Sequence, residues 1–344
     1  MLRKLMLAGL SASALSMTAL SAMAADITLK LHQFLPPQAT IPAKVLAPWA
    51  EKIKTDSGGK IEVQLYPAMQ LGGKPSDLID QAKDGVVDIV WTLVGYTPGR
   101  FPKSEAFELP FMVTSGEATS VAFYDFYEKN LKSEFKDYHV LAVHTHGPGL
   151  LHTIGSKPIK SLADMKGLKL RGTSKVVNQM LEAMGASAVG MPVTAVPESL
   201  SKSVIDGTVV PWEVTPSIKI AELAPNHTQF SGKTGLYTAA FVFAMNKDSY
   251  NALTPELKKV IDANSGKELA RKFGQAMDQG DIAGKALADK AGNTTFTLDE
   301  AETAKWKEQG EKVTKNWIAE MDKKGLDGTG LYKDAVALIQ QNTK

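Results

Sequence analysis

The stretch MKGLKLRGTSK, Met165–Lys175, places an arginine at the end of a short strand pattern. Arginine is scarce in this chain: Arg3, Arg100, Arg171 and Arg271 are the only four among 39 basic residues. If LKLR is extended, Leu168 and Leu170 share one face, and Lys169 and Arg171 the other. Arg171 then stands at the carboxyl end of its strand, where ligands bind in open α/β sheets. Gly172-Thr173-Ser174 leads into a helix whose first amides attract anions. A guanidinium is planar, permanently charged and able to hold a carboxylate through two parallel hydrogen bonds, whereas lysine acts as a point charge. The competing explanation is an arginine paired with a surface Asp or Glu, and spacing alone leaves the two open.

Other reactive patterns are missing. The sequence has no G-x-S-x-G elbow, no H-E-x-x-H and no G-x-x-x-x-G-K-[ST]. It has no cysteine, hence no thiol nucleophile and no thiolate metal site. His144 and His146 in HTHGPG stand two apart, half of a metal site if extended, but no acidic cluster completes it. His32, His139, His152 and His227 are scattered, without a visible catalytic partner. Asp77, Asp80 and Asp84 fall on one helix face and read as solvated. These patterns predict no enzyme, no metal and no cofactor.

The elements that would position Arg171 follow from periodicity. Arg3 and Lys4 precede an uncharged stretch to Ala24, ending in Ala22-Met23-Ala24, which predicts a signal peptide at 1–24 cleaved after Ala24. Without those residues, 37 basic face 37 acidic side chains, which argues against a nucleic-acid partner. Ile27–Phe34, Lys60–Pro67 and Val86–Val94 read as strands, separated by helices at Ala43–Thr55 and Lys74–Gly85. This βαβαβ order predicts a parallel sheet covered by helices. A helix near Gly116–Leu131 and strands near His139–Val143 and Leu150–Ile154 come next. A second α/β unit spans roughly 150–235, with helices at Lys175–Met184 and Ala195–Val204 and a strand in Thr208–Val214. Gly235–Asn246 reads as one long apolar strand in the middle of a sheet. Thr254 and Pro255 open a helix that extends past Arg271. Thr297-Leu298-Asp299-Glu300 reads as a capping box before another long helix, with Trp306 and Trp317 inward. Two α/β lobes joined by crossing strands suggest a hinged clamp with its ligand between the lobes.

Four segments carry a family resemblance: PAMQLGGKPSDLIDQAKDGVVDI (Pro67–Ile89), KPIKSLADMKGLKLRG (Lys157–Gly172), MLEAMGASAVGMPVTAVPESLSKSVIDGTVVPWE (Met180–Glu213) and MNKDSYNALTPELKKVI (Met245–Ile261). In order and spacing the chain resembles the DctP-type solute-binding proteins of tripartite ATP-independent periplasmic (TRAP) transporters. The resemblance implies capture of a small organic acid in the periplasm and delivery to a small and a large membrane subunit. It implies a two-lobe periplasmic binding protein fold of the α/β class, with hinge strands and a long helix spanning both lobes. The implied division is 25–148 for lobe I, with 237–275 returning to it, and 149–236 for lobe II, with part of 276–344. It also implies that Arg171 pairs with the ligand carboxylate.

Departures narrow the ligand. The sialic-acid branch carries polar residues before its proline, where this chain has Thr208-Val209-Val210 before Pro211. That branch also has a second arginine where this chain has Leu150 and Leu151. A polyhydroxylated sugar acid is therefore not expected. The expected pocket residues are Phe34, Trp91, Tyr96, Trp212 and Tyr237 for an apolar body. Glu213 would accept a ligand hydroxyl or brace Arg171, and His146 would donate to a keto or hydroxyl oxygen. The expected ligand is an aromatic, 2-oxo or 2-hydroxy monocarboxylate. A sensory binding protein for the same acids is the alternative function.

Overall fold

The computed structural model describes residues 25–343 apart from Lys157. The expected signal peptide lies outside the described residues. The strands in chain order are β1 (Ile27–Gln33), β2 (Ile61–Tyr66), β3 (Ile89–Leu93), β4 (Tyr138–Thr145), β5 (Leu150–Thr153) and β6 (Lys169–Gly172). They continue with β7 (Ser187–Gly190), β8 (Gly207–Val210), β9 (Asn226–Phe230), β10 (Ala240–Asn246) and β11 (Thr294–Leu298). They form two sheets, one in the order β2-β1-β3-β10-β4 and the other in the order β11-β9-β5-β8-β6-β7.

The first sheet obeys the βαβ expectation: β1 pairs parallel with both β2 and β3. Every residue of β3 is buried, as suits a strand covered on both faces. The apolar run of β10 inserts antiparallel between β3 and β4. In the second sheet β6 pairs parallel with β7 and β8, while β5 runs antiparallel to β8 and β9. The chain thus crosses from the first sheet to the second after β4, returns before β10, and crosses again before β11.

Two long helices hold elements of both lobes. In the helix Lys267–Lys290, Gly274 packs directly on the Gly116 backbone, and Gly280 and Gly284 on Glu213 and Trp212. Asp278 accepts from the amides of Gly116 and Glu117, at 2.6 and 2.9 Å, and so caps the helix Gly116–Phe126. One turn on, Asp281 accepts from the Glu213 amide at 2.7 Å. The helix Glu300–Lys323 buries Trp306 edge-on against Phe230 at the end of β9, and Trp317 donates to Glu105 at 3.0 Å. Lys175, opening the helix Lys175–Ala183 after β6, pairs with Glu320.

Some boundaries differ from the sequence expectation. The helix opened by Thr254 ends at Ala263; Gly266, at φ +86°, breaks it and starts the next one. The expected strand Gly235–Asn246 begins only at Ala240, and its first residues form a crossing segment. Thr297 and Leu298 end β11, and Asp299 is the helix cap, accepting from the Glu302 amide at 2.8 Å. The β-prone TTFTL pairs with β9 rather than turning. The strand expected within Thr208–Val214 stops at Val210, because Pro211 has no amide to continue the ladder.

Candidate ligand-binding site

The segments that cross after β4 and before β10 brace each other. The Gly149 amide donates to the Tyr237 carbonyl at 2.9 Å, and the Thr238 hydroxyl donates to the His146 carbonyl at 2.7 Å. A side chain at Gly149 would collide with the Tyr237 ring, so the crossing needs glycine there. Beside this crossing lies a small cavity of about 40 Å3.

Phe34, Trp91, Tyr96, His146, Arg171, Glu213 and Tyr237 all line it. They arrive from different elements: Phe34 follows β1, Tyr96 follows β3, Arg171 lies in β6, Glu213 follows β8, and His146 and Tyr237 sit in the crossing segments. The parallel strands therefore deliver their residues at their carboxyl ends. Trp212 departs from the expectation. It packs edge-on against His152 and His227, at 5.2 and 4.6 Å between centroids, and against Leu150 and Ala288. Pro211 ends the strand alternation, and in the turn Trp212–Val214 it is Glu213 and Val214 that line the cavity. Sequence reasoning missed Leu35, Leu93, Val193, Phe241 and Met277 in the wall. Phe241 had a signal, the alternating aromatics of AFVFAMN. Val193 had none, since it comes from the loop after β7.

The aromatic wall is one column. Trp91 stacks on Phe34 at 4.9 Å and on Phe241 at 5.2 Å, with interplanar angles of 8° and 10°. His144 lies parallel between Phe241 and Phe273. It accepts from the Trp91 indole at 2.8 Å and donates from Nδ1 to the Thr145 carbonyl. Both its nitrogens are engaged in orienting Trp91, so the half metal site considered for His144 and His146 has no free ligand at His144. The scattered histidines also acquire a role, for His152 and His227 meet at 2.8 Å behind Trp212.

Arg171 is buried, with 1 % of its surface exposed. Its Nε donates to the Met191 carbonyl at 2.9 Å, and Nη1 to the Thr173 hydroxyl at 2.8 Å and the Val209 carbonyl at 3.5 Å. Nη2 has no partner among the described residues. No carboxylate is among its partners, so the surface ion pair that spacing left open is not what forms. A buried cation without an anion is costly, by several kcal/mol. The other two described arginines are partnered at the periphery: Arg100 with Asp80 and the Tyr138 hydroxyl, Arg271 with Glu117 and Glu268.

Around Arg171 burial shifts the ionisable groups toward their neutral forms. His146 is driven down to about 4, first by burial and further by the Arg171 charge. Its Nδ1 donates to the Gly147 carbonyl at 2.5 Å. The ring is therefore neutral with an unprotonated Nε2, an acceptor rather than the donor expected from sequence. Tyr237 donates to the Val209 carbonyl at 2.8 Å. The Tyr96 hydroxyl accepts from the Val193 amide at 3.0 Å, and its own proton goes to no other described residue. Glu213 does not pair with Arg171. It is buried, its Oε1 lacks a partner, and burial raises its pKa to about 7 against a smaller opposing pull from Thr40.

The family model DctP, described as bacterial extracellular solute-binding protein family 7, matches residues 32–321. The chain belongs to this family. Similar solved structures are likewise TRAP solute-binding proteins. One, from an unidentified marine metagenome microbe, is described as specific for aromatic acid ligands and contains 3-hydroxybenzoate. It is 51% identical, with a TM-score of 0.91, and the match covers 93% of this chain and 100% of that one. One from Rhodoferax ferrireducens, with copurified benzoate, is 47% identical with a TM-score of 0.89, covering 92% and 98%. A third, from Bordetella bronchiseptica with bound mandelate, is 30% identical with a TM-score of 0.84, covering 91% and 99%. The chain is thus a TRAP solute-binding protein with a mixed α/β, two-lobe fold. Among its described residues no helix is long and apolar enough to cross a membrane.

Proposed function

We propose that this TRAP solute-binding protein captures an aromatic monocarboxylate, with Arg171 holding the carboxylate. The observation that carries the proposal is Nη2 of Arg171, buried and unpartnered in a cavity whose wall is the Phe34–Trp91–Phe241 stack. A ligand carboxylate would complete the guanidinium's hydrogen bonds and neutralise its charge. A flat ring would lie on an apolar wall shaped for one. The Tyr96 proton is a second donor for the carboxylate. The acceptor nitrogen of His146 suits a hydroxyl and not a keto oxygen, which ranks aromatic and 2-hydroxy acids above 2-oxo acids. The aromatic acids in the similar marine, Rhodoferax and Bordetella proteins support the same class.

The remaining parts of the proposal concern address and partners. The protein is exported, cleaved after Ala24, and delivers its acid to the small and large TRAP membrane subunits. Lobe I comprises 25–148 and 237–275; lobe II comprises 149–236 and part of 276–344. Supporting this division, the first sheet takes its strands from 27–145 and 240–246, and Gly274 packs on lobe I, Gly284 on lobe II, and Gly280 between them on Thr40 and Glu213.

The test is a thermal-shift screen of the mature protein against benzoate, phenylacetate, mandelate, phenylglyoxylate, pyruvate, succinate and sialic acid. A ligand at a thousand times its Kd stabilises by about 4 kcal/mol. Benzoate-type acids are expected to raise Tm. A response confined to succinate or sialic acid would contradict the proposal.

A further inference from the structure

The cavity wall contains two buried polar atoms without partners, and they differ in kind. One is the donor Nη2 of Arg171; the other is the acceptor Oε1 of Glu213. They occupy separate neighbourhoods. Arg171 is held by Met191, Thr173 and Val209, whereas Glu213 is fixed by Asp281 through its amide and packs on Gly280 and Thr40. A methyl group on Gly280 would lie 2.5 Å from Glu213 Cγ, so the helix backbone itself presses the side chain into place. An unsubstituted aromatic acid would answer the first orphan and leave the second unanswered. A buried acceptor left unmatched costs free energy, and a site containing one discriminates strongly for a ligand that satisfies it.

We infer that Glu213 is a specificity residue that accepts a hydrogen bond from a ring hydroxyl remote from the ligand carboxylate, so that the protein is tuned to hydroxylated aromatic acids. This rests on the aromatic-acid proposal and narrows it. Arg171 anchors every member of the class, and Glu213 ranks the members. A hydroxyl next to the carboxylate would instead meet His146, which stands beside Arg171.

The test measures the Kd of benzoate and of 3-hydroxybenzoate by isothermal titration calorimetry for the wild type, Glu213→Met and Glu213→Gln. Methionine keeps the Cγ that packs on Gly280 and removes the acceptor; glutamine keeps an acceptor oxygen. The wild type is expected to prefer 3-hydroxybenzoate at least about 10-fold. Glu213→Met is expected to bring the ratio of the two Kd values to about one, and Glu213→Gln to retain most of it. Equal wild-type affinities, or a preference that survives Glu213→Met, would overturn the inference while leaving the aromatic-acid proposal standing. Failure of the wild type to bind either acid would sink both.

Discussion

The Tyr96 hydroxyl accepts a hydrogen bond from the Val193 amide at 3.0 Å, and this bond joins residues that follow β3 in the first sheet and β7 in the second. The same hydroxyl retains a proton beside Arg171. Tyr96 thereby links elements of the two sheets at the cavity wall. Tyr96→Phe removes both interactions and keeps the ring in contact with Phe34. A hydrogen bond to a charged group contributes about 1.5–3 kcal/mol, so affinity for an aromatic acid is expected to fall roughly 10- to 100-fold. Calorimetry checks this, and an unchanged Kd would remove Tyr96 from the carboxylate site.

The glycines of the helix Lys267–Lys290 set how close the two lobes lie to it. A methyl group at Gly284 would collide with the Trp212 carbonyl oxygen. Alanine improves helix propensity by about 1 kcal/mol over glycine, but a clash with backbone forces the Trp212–Val214 turn away. The clash should win. Gly284→Ala is expected to lower Tm and weaken ligand binding through displaced Glu213, whereas a higher Tm with normal affinity would show that the turn yields at no cost.

Glu108 provides a pH test. It is buried, accepts from the Ala240 amide at 3.0 Å, and burial raises its pKa to about 7 from 4.5. Between those values the folded state binds more protons than the unfolded state, so its ionisation subtracts stability as pH rises from 4.5, fully above about 7. Glu108→Gln keeps the oxygen that accepts from Ala240 and cannot ionise. Its Tm should match the wild type at pH 5 and exceed it by about 4 °C or more at pH 8. The same difference at both pH values would contradict this account.

How much of this was legible in the sequence depends on how local the cause is. Alternation in LKLR and the rarity of arginine marked Arg171 as a candidate, but spacing left a surface ion pair open, and the carboxylate role came from the family resemblance. The parallel order of β1, β2 and β3 was visible from local periodicity. Trp212 was expected in the pocket from its position in the resembled family, but neighbours in the tight turn after Pro211 face different ways and it packs on His152 and His227 instead. β7, β9 and β11 were missed; SAVG, NHTQF and TTFTL are short and carry little continuous apolar signal. The buried acids were the least legible. An acid in sequence defaults to the surface, and Glu108 and Asp281 acquire backbone partners 132 and 68 positions away. The tautomer of His146 likewise depends on a carbonyl contact that no sequence pattern announces.

The central claim is that Arg171 is a buried cation awaiting a carboxylate, and Arg171→Met tests it most directly. Calorimetric titration with 3-hydroxybenzoate and benzoate is paired with Tm of the ligand-free protein. A buried cation without an anion is costly, so a hydrophobe of similar length relieves that cost in the ligand-free protein, while a charge-assisted contact in a closed site is worth about 3 kcal/mol or more. The account predicts a ligand-free Tm equal to or above the wild type, with affinity for both acids reduced at least about 100-fold. Retained affinity, or loss of the folded ligand-free protein, would contradict it.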